Sequence, residues 1–264
     1  GDGAFGSRWD LLNLAHVFIP GSVTNIDAKA FRIFRGTVAV TVDPANAVYS
    51  SRDGMLLTKD GTRLLQGVSG AVTIPPGVTS IDANAFYECD LTSLTIPSGV
   101  TSIGEWAFGT IYTFSNLTSL TIPDSVTDIG ESAFRNCRNL RNVWLPKHLR
   151  GKLSTSVFAN CGNVTLNYYD AMCCVTFRTE EGIVEQRQCP AGMKVGTLPS
   201  TPTHEGYAFE GWWTAADGEK ATEKTVVTND VTYYAKWRGT AVVGDYTYMY
   251  SVLNGQAEIG FSNT

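Results

Sequence analysis

The pattern I-P-x-x-V-T-x-I-x-x-x-A-F returns along this 264-residue chain, and a chain made of such copies has few folds open to it. The copies begin at Ile19, Ile74, Ile96 and Ile122, with a degenerate one at Leu145, so the spacings are 55, 22, 26 and 23 residues. The short spacings are those of a unit that forms one turn of a solenoid, roughly 20 to 29 residues long. The 55 corresponds to two turns plus an insertion. Each copy closes on an apolar pair: Ala30-Phe31, Ala85-Phe86, Ala107-Phe108, Ala133-Phe134 or Val157-Phe158. Ala4-Phe5 fits the same slot, so the chain is expected to open inside a repeat.

Within one copy, Leu117, Leu120 and Ile122 mark a short strand that Pro123 ends, and Val126 with Ile129 marks a second extended piece. Phe134 and Leu140 close the turn. One such unit is apolar on one side only, so successive copies must stack to bury it. A solenoid is therefore expected over residues 1–170. Its outward strand positions read Ser93 and Thr95, Ser119 and Thr121, then Asn142 and Trp144, a polar ladder suited to a solvated sheet face. Between Phe31 and Ile74, the pairs Asp53-Gly54 and Asp60-Gly61 flank Met55-Leu56-Leu57 and read as turns around a strand.

Spacing, the I-P pair, the A-F pair and the insertion Tyr49-x-Ser51-x-Asp53-Gly54-x-Leu56 together resemble the BspA-like, treponemal-type leucine-rich repeats of bacterial surface proteins. That resemblance implies surface display and adhesion-type binding, with no one shared ligand. After Tyr168-Tyr169 the period stops, and aromatic and β-branched residues alternate over short runs split by Gly and Pro. Phe177, Phe209, Trp212 and Trp237 are the large side chains able to build a core in so small a segment. The strings Gly206-Tyr207-Ala208-Phe209-Glu210-Gly211-Trp212 and Tyr234-Ala235-Lys236-Trp237 resemble the Listeria-Bacteroides repeat, the B-repeat of internalin-type proteins. The resemblance implies a compact β-grasp-like fold for residues 171–238. Residues 239–264 hold two strands around Asn254-Gly255 and are expected to begin a further module or linker. The fold class is thus mainly β: a leucine-rich-repeat solenoid followed by a small β-grasp-like domain.

A hydrophobic content of 43% supports real cores, while a net charge of -5 with Lys and Arg scattered singly gives no footprint for nucleic acid or anionic lipid. No stretch is long and apolar enough to insert in a membrane. Cys89, Cys137 and Cys161 each fall three residues after a repeat Phe and read as small buried hydrophobes in one slot. Cys173 and Cys174 differ: a turn near Glu181-Gly182 would bring one of them across a hairpin from Cys189, giving a possible disulfide Cys174–Cys189 or Cys173–Cys189. His16, His148 and His204 lie in different segments, no nucleophile-base-orienter trio is visible, and no metal-ligand spacing occurs. No catalytic residue, metal or cofactor is therefore expected.

Trp106 takes a slot held elsewhere by Asn84 and Ser132, and Trp144 a ladder slot otherwise held by Thr. Aromatics at polar repeat positions are candidate contact anchors, with packing as the alternative. Possible partner-binding residues are Trp106, Trp144, Thr95, Thr121 and Asn142. The expectation is a non-catalytic binding or adhesion module, extracellular or on a bacterial cell surface, recognising a host or matrix protein or a glycan. The alternatives are a stalk that displays another domain and an accessory region of a secreted hydrolase.

Overall fold

The computed structural model describes residues 15–27, 30–31, 38–111, 115–215, 218–243 and 246–258. The Ala4-Phe5 slot lies outside them. Apart from one 3-10 turn, Lys147–Leu149, the regular secondary structure of the described residues is all strand, and the chain divides into two compact units at Tyr168/Tyr169.

In the first unit, β1 (His16–Ile19) pairs in parallel with β2 (Ala39–Val42). β3 (Tyr49–Arg52), β4 (Met55–Thr58) and β5 (Arg63–Gln66) form an antiparallel meander. Asp53 and Gly54 hold φ of 51° and 77° between β3 and β4, the positive-φ pair that the expected Asp-Gly turn requires. The chain then climbs through β6 (Gly70–Thr73), β7 (Ser80–Ile81), β8 (Leu91–Thr95), β9 (Ser102–Ile103), β10 (Ser119–Thr121), β11 (Asp128–Ile129), β12 (Asn142–Pro146) and β13 (Thr165–Tyr169). On one face β6 pairs in parallel with β8, and β10 with β12, which β13 extends. On a second face β5, β7, β9 and β11 run parallel.

The V-T of each copy has a physical reason on that second face. Thr79, Thr101 and Thr127 each donate from Oγ1 to the carbonyl of the residue one turn before, Thr62, Thr79 and Thr101, at 3.2, 3.1 and 3.3 Å. A third side is formed by the Ala-Phe segments. There the N–H groups of Asn84, Phe86 and Glu88 donate to the carbonyls of Glu105, Ala107 and Gly109, and Trp106, Phe108 and Thr110 repeat this one turn on.

The A-F pairs build the core. Phe86, Phe108, Phe134 and Phe158 stack in succession, with ring centroids 5.0, 5.0 and 5.4 Å apart and planes within 14° of parallel. Gly67 donates to Ala85 O as Phe86 does to Ala107 O, so Gly67 holds the phenylalanine slot of the preceding turn. A Cβ there would fall 2.0 Å from the Phe86 ring. The stack therefore starts at Phe86, and Phe31 belongs to a separate small core with Ile19, Val40 and Leu56.

In the second unit, β14 (Met172–Thr179) pairs antiparallel with β15 (Gly182–Pro190). β16 (Met193–Lys194), β17 (Ala208–Trp213), β18 (Val226–Val227) and the 13-residue β19 (Val231–Val243) follow, then β20 (Tyr246–Leu253) and β21 (Gln256–Glu258). β14 and β19 are parallel, β17 and β20 antiparallel to β19. Arg238 is opposite both Ala208 and Ser251, so β17 and β20 lie on opposite edges of β19. The aromatic core is the one expected, with Phe177 edge-on to Trp212 at 5.3 Å and Phe209 edge-on to both Trp212 and Trp237 at 5.4 Å. Tyr233, stacked 5.4 Å from Phe177, completes it.

In residues 239–264, expected to begin a further module or linker, β20 and β21 join the sheet of this unit. Tyr250 is opposite Gly239, where a Cβ would fall 2.6 Å from its ring, so the tyrosine packs on the bare backbone of β19.

Candidate binding surface

Alternation along the strands decides what the solenoid shows outward. Val72, Leu120 and Val143 are buried. Their neighbours Thr73 and Thr95 are register partners, as are Ser119 and Asn142, and Thr121 and Trp144. Thr95 and Asn142 are exposed, Thr121 and Trp144 half-buried. Thr121, Asn142 and Trp144 thus share one patch across β10 and β12, whereas Thr95 sits in the β6–β8 piece of the sheet. Every outward side chain among these is uncharged.

Trp106 lies elsewhere, on the Ala-Phe side. Its φ is 56°, as Asn84 and Ser132 have 63° and 55° in the same slot. Asparagine tolerates that left-handed conformation and a bulky residue does not do so readily. The ring is held by packing: a Cβ on Gly109 would lie 2.5 Å from it, Tyr87 is edge-on at 6.0 Å, and the Arg135 guanidinium sits 5.5 Å from its centroid. Tyr87, Gly109 and Arg135 all follow the repeat Phe directly. A large residue two places before Phe108 is thus matched by the smallest one place after it, a pairing that the sequence carries as Trp106-x-Phe108-Gly109. This is the packing alternative that the sequence left open for Trp106.

All six cysteines are free thiols. Cys89, Cys137 and Cys161 are buried in the solenoid core, where Cys137 and Cys161 Sγ lie 3.4 and 2.8 Å from the carbonyls of Phe108 and Phe134. Burial pushes the Cys89 thiol far up, and the hydrogen bond with Cys161, with burial, raises that of Cys137. Such thiols are inert nucleophiles. Cys173 is directly opposite Cys189, and both are buried against the second core. Cys174 is opposite Gln188, one residue out of phase, and its N–H donates to Asp230 Oδ1 at 2.8 Å. A one-residue offset turns a side chain to the other face, so the register removes the Cys174–Cys189 alternative. Opposed Cα atoms stand about 4.5 to 5.5 Å apart in antiparallel pairs, within reach of a disulfide. Under oxidising conditions peptide mass mapping is expected to show Cys173–Cys189 alone. A bridge to Cys174, or to any of the three solenoid cysteines, would contradict these registers.

The histidines are scattered: His16 Nε2 is 2.7 Å from Thr41 Oγ1, His148 Nε2 is 2.9 Å from Val126 O, and His204 Nε2 is 2.6 Å from Glu180 Oε1. Among the described residues no group of His, Cys, Asp and Glu could hold a metal ion, and no helix is long and apolar enough to cross a membrane.

Residues 69–173 match the BspA type leucine rich repeat region in six copies. This part of the solenoid is a BspA-type leucine-rich repeat region. Residues 174–236 match the Listeria-Bacteroides repeat domain, so a BspA-type region is followed directly by a repeat of the second kind. Similar solved structures include the pneumococcal vaccine antigen PcpA, at 21% identity over 61% of this chain and 46% of that one, TM-score 0.47. A leucine-rich repeat protein from Eubacterium ventriosum shows 26% identity over 60% and 43%, TM-score 0.45. A leucine rich cell surface protein from Faecalibacterium prausnitzii shows 24% over 60% and 48%, TM-score 0.46. The chain spans less than half the length of each of these. No curated protein matches it. The BspA-type match ends at residue 173 and the second begins at 174, within five residues of the division between the two compact units.

Proposed function

We propose that the chain is a non-catalytic binding module of a bacterial cell-surface or secreted protein, and that its solenoid holds a host or matrix protein or a glycan against the sheet face of β10 and β12. One observation carries this reading: Trp144 stands on the outward face, opposite Thr121 and two residues from Asn142, in a slot that other turns give to threonine. A lone aromatic in an uncharged polar surface is the composition of a binding hot spot with its rim. The two matched families, both built of repeats, support a display and binding role.

The test is to screen the chain against extracellular-matrix proteins and glycans and then compare two substitutions. Trp144→Ala is expected to weaken binding by about 2 kcal/mol or more, and Thr121→Ala by less than about 1. Equal affinities for the two variants would remove Trp144 as the anchor. Absence of any ligand would favour a stalk that displays another domain.

A further inference from the structure

The sheet of the second unit ends on β15, which pairs with β14 alone among the described residues. One hydrogen bond fixes which backbone groups β15 turns outward. The Cys174 N–H points away from β15 and donates to Asp230 Oδ1, just ahead of β19. Opposed residues of an antiparallel pair exchange both backbone bonds or neither. Cys174 and its opposite, Gln188, therefore exchange none, and the N–H and C=O of Gln188 face outward. Alternation gives Gln186, opposite Thr176, the same direction, and both glutamines are exposed. The strand is nine residues long, with Ile183 and Val184 59% and 45% exposed, so it has the length and the apolar surface that invite another strand to pair.

The charges on β15 say which strand fits. Glu185 and Arg187 are its only charged residues. They stand opposite Phe177 and Val175, both buried, so they lie on the core side of the sheet, each half-buried. Arg187 Nε is 3.2 Å from Glu185 Oε1, Nη2 donates to Thr197 O at 2.7 Å, and the guanidinium lies 5.2 Å from the Phe177 centroid. These contacts hold the two charges side by side at the middle of the edge. Two copies of β15 set antiparallel about Gln186 bring each Glu185 opposite the other copy's Arg187. A slide of two residues one way sets Glu185 on Glu185, and the other way Arg187 on Arg187. In the central register Gln186 faces Gln186 as a bonded pair. Glu185 and Arg187 then fall in non-bonded positions, where opposed Cα atoms come closest, about 4.5 Å. The pair within each chain closes into a ring of four alternating charges, and opposite charges across strands favour pairing where like charges oppose it.

We propose that β15 is a docking edge for a second copy of this chain, the two strands antiparallel about Gln186 and one sheet continuing through both. A peptide of other sequence would make the same backbone bonds without the charge match.

The test is sedimentation velocity of the full 264-residue chain. One strand pair is a small interface, of the class below about 1,200 Å² that associates weakly. The chain is therefore expected to be monomeric at about 1 µM and increasingly dimeric up to about 0.5 mM, less so as salt screens the charges. Glu185→Arg and Arg187→Glu should each associate at least about tenfold more weakly than the parent. An equimolar mixture of the two should associate like the parent, because each copy then supplies the charges the other needs. Gln186→Pro removes the outward N–H, leaves the β14 ladder whole, and should abolish association with the thermal midpoint little changed. If Arg187→Glu does not fold, Glu185→Arg and Gln186→Pro decide alone. A parent that stays monomeric at about 0.5 mM, charge variants that associate like it, or a mixture of folded variants that does not recover would each overturn the proposal. Association that survives Gln186→Pro would belong to another surface and overturn it as well.

Discussion

Phe134→Ala is expected to lower the stability of the solenoid by about 3 to 5 kcal/mol, the usual cost of emptying a buried aromatic site. Phe134 is fully buried and stacked on both sides, at 5.0 Å from Phe108 and 5.4 Å from Phe158. Its removal therefore leaves a cavity and ends two ring contacts, each worth about 0.5 to 1.5 kcal/mol beyond area. In a solenoid each turn touches only its neighbours, so the void cannot be refilled from elsewhere and the turns on either side part company. Urea unfolding followed by far-ultraviolet dichroism measures the loss. A change under about 1 kcal/mol would mean that the rings are not the packed spine of this unit.

Gly130→Ala is the second large effect. A Cβ at Gly130 would sit 2.5 Å from Glu105 N and 2.8 Å from Gly104 C, and one at Gly104 would sit 2.4 Å from Ala83 N. These obstacles are backbone and cannot swing aside, so the turns must separate at their corner. Overpacking of this kind costs about 1 to 3 kcal/mol, and here it also strains the Gly130 N–H bond to Ile103 O. Asp82 holds the same slot in an earlier turn, where the element below is β5 and the carboxylate reaches Arg63 at 2.6 Å. Gly99→Ala is the control, because its nearest neighbour would be Val78 O at 3.5 Å. Thermal unfolding should separate the two variants by several degrees, and equal midpoints would contradict the close approach of the corners.

The repeat made most of this legible. Phe at a fixed place in every copy can only stack on itself once the copies stack, and Thr before the second strand is placed to bond the turn below. What stayed hidden depends on pairings between distant segments. Gln66-Gly67 carries no sign that Gly67 fills a phenylalanine slot, because its meaning comes from the Phe86 ring lying against it. The Asn254-Gly255 hairpin was readable as a hairpin, but its docking on β19 follows from an edge that only the folded sheet creates. The choice between Cys173 and Cys174 turned on a register of one residue, which the turn sequence Glu180-Glu181-Gly182 does not settle.

The two units are expected to fold separately, since each has its own core and only Asp170 and Ala171 separate β13 from β14. Calorimetric unfolding of the intact chain tests this most directly when run beside Phe134→Ala. The prediction is two transitions, of which the substitution lowers one and leaves the other in place. A single transition that moves as a whole would contradict a solenoid and a β domain that stand as separate modules.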